Sequence, residues 1–230
     1  MAKRIGILGG MSPESTSEYY QYITRNYTKQ FGNHNYPEII IYSVSFQPYI
    51  DWPMQNDWDS VAKGLSEAAR KLEAAGADFI IIATNTMHIV VDEIRAKINI
   101  PVLSLLDTVG EEILKRDLRK VALLGTRFTM EKTFYQDALR NKGIEVIVPD
   151  AGDRDVVNQV IYDELVAGII TEESRQKYVE IIHKLKLKGA EGVILGCTEI
   201  PLLISETDVG LPVFDTTFLH AEAALAFALD

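Results

Sequence analysis

The chain carries the same series of motifs twice, in the same order. An apolar run that ends in a glycine turn occurs at residues 4–10 and again at residues 120–126. A Gly-Ala pair introduces a second apolar run at Gly76 and again at Gly189, 113 positions further along. Because the distances between matching motifs agree within a few residues along the chain, the pattern indicates a duplicated structural unit.

Each copy of the pattern predicts strands that alternate with helices. The apolar runs lack the polar alternation of half-exposed strands, and helical segments separate them, which is typical of a parallel sheet covered on both faces. We therefore predict an α/β protein of two pseudo-symmetric domains, each a parallel sheet flanked by helices, with the active site in the cleft between them. The predicted N-terminal domain comprises residues 1–107 plus 217–230, and the C-terminal domain comprises residues 108–216.

Several connecting segments have specific predicted structures. Residues 46–53, rich in aromatic side chains and proline, are predicted to form a loop. A helix is predicted over about residues 129–142, and a later helical stretch is predicted to continue through an internal Gly168. Asp107 and Thr108 are predicted to cap the helix that follows the fourth strand.

Composition narrows the possible functions. The formal net charge of −10 argues against a nucleic-acid partner, which requires a basic face. No stretch approaches the roughly 20 apolar residues of a membrane helix, and the N-terminal residues do not resemble a secretory signal, so a cytoplasmic protein without a membrane partner is expected. The chain has one cysteine, Cys197, which excludes an internal disulfide and a multi-cysteine metal site.

Two short motifs at matching positions carry the candidate chemistry. Thr84 follows the apolar run at residues 79–83, and Cys197 follows the run at residues 193–196. Open α/β sheets bind ligands outside the carboxyl ends of their strands, so both motifs are expected to face one small ligand. Taken alone, the cysteine fits core packing and the threonine fits a helix cap, but their matching positions favour a functional role.

Four motifs along the chain form a set whose order and spacing are informative. They are Gly9-Gly10-Met11, Thr84-Asn85-Thr86, Gly125-Thr126 with Thr129, and Gly196-Cys197-Thr198-Glu199. Together they resemble the aspartate/glutamate racemase superfamily, and the resemblance covers nearly the whole chain. It implies enzymes that invert amino acids without pyridoxal phosphate and that assemble as homodimers. The histidines at positions 34, 183 and 220 show no metal-ligand spacing, so no metal site is expected.

The resemblance also implies a two-base mechanism and assigns roles to residues of this chain. One cysteine thiolate removes the α-proton of the substrate, and a second thiol on the opposite face returns a proton. Cys197 corresponds to one of these groups, and Thr84 stands where the family has the other. The implied substrate-binding residues are Met11, Gln47, Asn85, Thr86, Thr126, Thr129, Thr198 and Glu199.

The chain departs from the family pattern at three places, two of which concern the motifs themselves. Thr84 replaces the first cysteine, and because a hydroxyl is a much weaker acid than a thiol, unequal behaviour toward the two enantiomers is expected. Glu199 stands where the glutamate racemase branch has a histidine, which favours the aspartate racemase branch.

The third departure concerns the side chain of the substrate. Aspartate racemases of that branch have basic residues near the positions of Pro48-Tyr49 and Val166, where they grip the side-chain carboxylate. None of these residues is basic in this chain. Arg127 and Arg154 are candidates to replace them.

The sequence therefore predicts a cofactor-independent racemase of an acidic amino acid, aspartate or glutamate, which acts by deprotonation and reprotonation at Cα. Two alternatives remain open. One is a single-thiol decarboxylase or maleate-type isomerase of the same superfamily, and the other is an amino-acid-binding protein without turnover. Dinucleotide binding at Gly6, Gly9 and Gly10 is disfavoured, because their spacing is not that of the G-x-G-x-x-G fingerprint.

Overall fold

Two compact units make up the computed structural model, which describes residues 2–230. Unit 1 comprises residues 2–108 and 217–230, and unit 2 comprises residues 109–216. Each unit contains one four-stranded sheet in which every pairing is parallel. The predicted class, two α/β units that each hold a helix-flanked parallel sheet, is confirmed.

Unit 1 has the strand order β2-β1-β3-β4. Its strands are β1 (Ile5–Gly9), β2 (Ile39–Ser43), β3 (Phe79–Ile82) and β4 (Val102–Leu103). Its helices are α1 (Pro13–Phe31), α2 (Pro48–Met54), α3 (Trp58–Ala74), a 3₁₀ turn at Thr86–Val90 that continues into α4 (Val91–Arg95), and α5 (Leu105–Lys115), which continues into unit 2.

Unit 2 repeats this topology with the strand order β6-β5-β7-β8. Its strands are β5 (Lys120–Gly125), β6 (Glu145–Ile147), β7 (Gly192–Gly196) and β8 (Val213–Asp215). Its helices are α6 (Arg127–Glu131), α7 (Phe134–Arg140), α8 (Ala151–Asp163), α9 (Glu172–Leu187) and α10 (Glu206–Val209), with 3₁₀ turns at Leu165–Ala167 and Ile200–Leu202. The last helix, α11 (Thr216–Leu229), returns to unit 1.

The central strands carry apolar residues on both faces, and helices pack on both faces of each sheet. Every residue of β1, β3 and β7 is buried. On one face of the first sheet, Ile5 and Ile7 pack with Tyr19 of α1 and with Ala221 and Ala224 of α11. Full burial of one such isoleucine contributes about 1.5–3 kcal/mol, so the sheets and their covering helices hold each unit together.

The prediction of a loop at residues 46–53 is wrong, because helix α2 occupies most of that segment. Pro48 stands at the first helical position, where its missing N–H costs nothing. Tyr49 is buried, and its ring meets that of Trp52 edge to face, with centroids 5.2 Å apart. The aromatic side chains therefore anchor a short helix.

Two predicted helices are interrupted. The helix predicted over residues 129–142 is divided into α6 and α7, because Lys132 has extended backbone angles. The later helical stretch breaks at Gly168, which adopts a left-handed φ of 73°. Thr171 then caps α9 by accepting a hydrogen bond from the Ser174 N–H at 3.1 Å.

The predicted cap at Asp107 and Thr108 is also wrong, because both residues lie inside α5. Ser104 performs that role, since its Oγ accepts a hydrogen bond from the Asp107 N–H at 3.4 Å. No helix within residues 2–230 is long and apolar enough to cross a membrane.

Candidate active site

Thr84 lies just beyond the carboxyl end of β3 and is half-buried. Its N–H donates to the carbonyl of Ile82 at 2.8 Å, which closes a tight turn. Its own carbonyl is 2.9 Å from Nδ1 of His88. The backbone of Thr84 is therefore held on both sides by hydrogen bonds.

The start of α1 is tied to the same strand end. The Ser15 hydroxyl donates to the carbonyl of Ala83 at 3.0 Å, and the Ser15 N–H donates to the Ser12 cap at 3.2 Å. The turn before this helix requires glycine at position 10, because φ is +93° and a Cβ there would lie 2.4 Å from the carbonyl oxygen of Val44. This close packing places the first turn of α1 beside the residue that precedes Thr84.

The other predicted residues of unit 1 have different environments. Asn85 is buried and Thr86 is half-buried, at the start of the 3₁₀ turn that follows Thr84. Met11 packs in the apolar core. Gln47 is exposed at the start of α2, and its amide donates to the Asp51 carboxylate at 2.9 Å.

Cys197 lies at the matching position in unit 2, directly after β7. Its neighbour Gly196 is closely packed, because a Cβ there would lie 3.0 Å from the Leu124 carbonyl oxygen. The thiol donates a hydrogen bond from Sγ to Oε2 of Glu199 at 3.0 Å. This contact places a carboxylate oxygen next to the sulfur.

The protonation state of Cys197 differs from the thiolate that the family resemblance implies. Burial raises the pKa of the Cys197 thiol well above its ordinary value, and the charge of Glu199 and its hydrogen bond with the thiol raise the pKa further. Both effects favour the neutral S–H form. The group that the structure presents is a protonated thiol with a carboxylate acceptor.

The remaining predicted residues of unit 2 flank the carboxyl ends of β5 and β7. Thr126 caps α6 by accepting a hydrogen bond from the Thr129 N–H at 3.4 Å, and the two hydroxyl oxygens are 3.1 Å apart. Thr129 is fully buried, whereas Thr198 is half-buried beside Cys197. Thr126 and Thr129 therefore shape the end of β5 through their mutual contact.

Two tyrosines near the thiol carry no sequence signal of their own. Tyr162 is 58% exposed, but partial burial of its hydroxyl raises the pKa of this group, and the nearby Cys197 and Glu199 add to the increase. Burial likewise raises the pKa of Tyr178, whose hydroxyl donates to the Val157 carbonyl at 2.9 Å. The surroundings of Cys197 are thus aromatic as well as acidic.

Both candidate arginines have carboxylate partners within unit 2. Nη2 of Arg127 is 2.8 Å from the Asp155 carboxylate. Nε of Arg154 is 3.4 Å from the Glu131 carboxylate, and its Nη1 donates to the Pro149 carbonyl at 2.8 Å. A substrate carboxylate would have to compete with these partners.

Two further features lie apart from the strand ends. An open groove of about 430 Å³ runs along α1 and contains none of the predicted site residues. Its lining residues are Tyr20, Thr24, Arg25, Thr28, Lys29 and Tyr36. Within residues 2–230, no group of three or more His, Cys, Asp or Glu side chains is arranged to hold a metal ion.

Comparison with known proteins identifies a family to which these motifs and the two α/β units correspond. The model of the Asp/Glu/Hydantoin racemase family matches residues 8–224, and the chain belongs to this family. It is an isomerase of the amino-acid racemase type.

Three relatives illustrate the similarity. The chain is 29% identical over 229 residues to the broad specificity amino-acid racemase RacX of Bacillus subtilis (strain 168), with 96% of each chain covered. It is 46% identical to a candidate Asp/Glu racemase from Yersinia pestis, with a TM-score of 0.94 and coverage of 99% and 100%. An aspartate racemase homologue from Pyrococcus horikoshii OT3 is 41% identical, with a TM-score of 0.89 and coverage of 99% and 100%.

Proposed function

We propose that the protein racemises an acidic amino acid, aspartate or glutamate, with Cys197 and Thr84 as its acid/base groups. The observation that carries this proposal is the hydrogen bond of 3.0 Å from the Cys197 thiol to Glu199 at the end of β7. It gives the thiol an acceptor for its proton, which a cysteine that only packs does not need. Thr84 occupies the equivalent position after β3.

The proposed reaction begins with proton transfer from Sγ of Cys197 to Glu199, which leaves a thiolate. The thiolate removes the α-proton of the substrate, and the electron pair delocalises into the α-carboxylate. Backbone N–H groups at strand ends and helix starts stabilise such an anion. The Thr84 hydroxyl donates a proton to the opposite face of Cα and recovers one from water. The hydroxide that this leaves takes the proton held by Glu199, so the thiol, the carboxylate and the hydroxyl return to their starting states and the inversion is complete.

The difference between the two acid/base groups predicts unequal half-reactions. A thiol has an ordinary pKa of about 8.5, far closer to neutrality than that of an aliphatic hydroxyl. Removal of the α-proton by Cys197 is therefore the easier direction, and removal by Thr84 the harder one. The enantiomer whose α-hydrogen faces Cys197 is expected to exchange that hydrogen with solvent faster than it inverts.

The partners of the two arginines support a second candidate, a racemase with a wider substrate range. Arg127 and Arg154 are both engaged by carboxylates, and the relative RacX is a broad specificity amino-acid racemase. Amide analogues separate the candidates, because asparagine and glutamine match aspartate and glutamate in shape but lack the side-chain charge. Inversion of both amides at rates similar to those of the acids would favour the wider range.

The test is to incubate each enantiomer of these four amino acids with the protein in deuterated water. Mass spectrometry measures α-deuterium incorporation, and chiral chromatography measures inversion. Exchange with inversion of aspartate or glutamate supports the proposal. Absence of exchange with both acids would refute it, and substituted malonates and maleate would then test the decarboxylase and isomerase alternatives.

Substitutions assign the two roles. Cys197→Ser is expected to lower both exchange and inversion by at least about 100-fold, because a hydroxyl is a far weaker base precursor than a thiol. Thr84→Val keeps the shape of threonine but removes its hydroxyl, so exchange of the favoured enantiomer should persist while inversion is lost. Thr84→Ser is the matched control that keeps the hydroxyl. Equal inversion by Thr84→Val and Thr84→Ser would exclude Thr84 as the second acid/base group.

A further inference from the structure

A buried histidine connects Thr84 to the start of α5. His88 lies four residues after Thr84 and is 1% exposed. Its Nδ1 is 2.9 Å from the Thr84 carbonyl oxygen, and its Nε2 is 3.1 Å from the Leu105 backbone nitrogen. One ring therefore spans two backbone segments that are separated in sequence by about 20 residues.

These contacts define the protonation state of His88. The carbonyl oxygen of Thr84 can only accept a hydrogen bond, so Nδ1 must carry a proton. The N–H of Leu105 can only donate, so Nε2 must be unprotonated. Both hydrogen bonds form together only when His88 is neutral and its proton is on Nδ1.

A second buried histidine holds the same junction from its other side. His220 of α11 is fully buried, and its Nε2 is 3.0 Å from the carbonyl oxygen of Leu103. Its Nδ1 is 2.9 Å from the Tyr19 hydroxyl. The carbonyl requires a proton on Nε2, so the Tyr19 hydroxyl donates to Nδ1. The two imidazole rings meet with their centroids 5.9 Å apart, and the short segment from β4 to α5 lies between their contacts.

The surroundings of both rings favour the neutral form that these contacts require. Burial lowers the pKa of His88 to about 4; hydrogen bonds with the backbone at Thr84 and Asn85 and the charge of Asp107 oppose this effect, whereas the charge of Arg95 adds to it. Burial also lowers the pKa of His220 to about 3, and His88 adds to that decrease.

We propose that His88 is a positioning residue for Thr84, and that it fixes the Thr84 peptide by donating from Nδ1 to the Thr84 carbonyl while Nε2 accepts from α5. The carbonyl is one bond from the Cα that bears the Thr84 side chain, so a shift of this peptide moves the hydroxyl. Misplacement of a reacting group by about 1 Å costs on the order of 100-fold in rate. The inference rests on the proposed acid/base role of Thr84.

Two substitutions separate the contacts of His88. His88→Asn places an amide N–H where Nδ1 lies, so it keeps the donor to Thr84 and loses the acceptor for Leu105. His88→Gln places an amide oxygen near Nε2, so it keeps the acceptor and loses the donor. Tyr19→Phe is the matched control, because it removes the buried hydrogen bond to His220 in the same network and leaves both backbone contacts of His88 in place.

The measurement is the ratio of inversion to α-deuterium exchange for the favoured enantiomer in deuterated water. Exchange by Cys197 does not require Thr84, so it acts as an internal standard that follows folding and substrate binding. His88→Gln is expected to lower the ratio by about 10-fold or more. His88→Asn and Tyr19→Phe should keep it within about 3-fold of the wild-type value.

The outcomes distinguish failure of this inference from failure of the proposed function. Wild-type protein that exchanges neither acid refutes the proposed function. Wild-type protein that exchanges and inverts, together with a ratio unchanged in His88→Gln, refutes the positioning role. Nitrogen-15 NMR of the wild-type protein gives a test that needs no variant, because a neutral His88 with its proton on Nε2 would also refute the role.

Discussion

Replacement of Glu199 by glutamine removes a negative charge next to Cys197 while keeping the size of the side chain. The structure places Oε2 of Glu199 3.0 Å from Sγ, and the charge of this carboxylate contributes to the raised pKa of the thiol. In Glu199→Gln the thiolate no longer faces a carboxylate. The pKa of Cys197 should therefore fall, and the fraction of thiolate at neutral pH should rise.

The size of the effect follows from the separation of the two charges. At about 4 Å between charge centres, Coulomb repulsion amounts to about 1 kcal/mol in water and about 4 kcal/mol near a protein surface. Because Cys197 is half-buried, we expect about 1–2 kcal/mol, which raises the thiolate fraction about 5- to 30-fold. A thiolate of lower pKa is also less nucleophilic, with a Brønsted coefficient of about 0.4–0.5, which offsets part of the gain in thiolate fraction. The net rate of alkylation should therefore increase about 2- to 6-fold.

The assay is the rate of alkylation by iodoacetamide between pH 6.5 and pH 9.5. Cys197 is the only cysteine of the chain, so the signal has a single source. Glu145→Gln is the matched control. Glu145 begins β6 and pairs with Lys120 at the start of β5, so it lies at the amino ends of the strands, whereas Cys197 lies at the carboxyl end of β7. Slower or unchanged alkylation in Glu199→Gln would refute the assignment of this carboxylate as the partner of the thiol.

Two further predictions concern stability. The unfolded chain binds a proton at His220 below about pH 6.5, whereas burial lowers the folded-state pKa to about 3. The buried neutral His220 therefore contributes to the stability of the folded protein. Its contribution is complete above about pH 6.5 and is lost as the pH falls toward 3. His220→Gln should therefore make the unfolding free energy depend less steeply on pH, by about 1.4 kcal/mol per pH unit between pH 6 and pH 4.5. Urea titrations at several pH values measure this free energy, and the same dependence on pH in the wild-type protein and the variant would contradict the prediction. Gly10→Ala should destabilise unit 1 by more than about 3 kcal/mol, because it combines a positive φ with a clash against the Val44 backbone. Gly143→Ala, at φ +78° with open space around it, should cost only about 1 kcal/mol, and similar losses for both variants would show that the close approach is unimportant.

The sheets were predictable because their central strands are apolar on both faces. Such runs, separated by helical segments, are typical of a parallel sheet covered by helices, and the repeated glycine turns marked the strand ends. Helix α2 was not predictable in the same way. Pro48 and Pro53 favour a loop when only local preferences are considered, whereas burial of Tyr49 against the rest of unit 1 stabilises a helix. Tertiary packing determined that segment.

The positions of Thr84 and Cys197 at strand ends follow from sequence periodicity, but their side-chain contacts do not. The contact between Cys197 and Glu199 joins residues two apart and depends on their rotamers. The contact from His88 to Leu105 depends on the three-dimensional path of the chain after β4. No local pattern distinguishes Tyr162 from the other exposed tyrosines.

The return of α11 to unit 1 has a consequence for the order in which the chain folds during synthesis. Unit 2 is one continuous segment, whereas unit 1 needs both ends of the chain. Ala224 and Ala228 of α11 complete a core that includes β1 and β3, and the Lys3 N–H donates to the Ala228 carbonyl at 2.8 Å. The ribosome therefore releases all of unit 2 while the part of this apolar face that α11 covers is still exposed. Unit 1, which carries Thr84, is therefore the first to be synthesised and the last to complete its core.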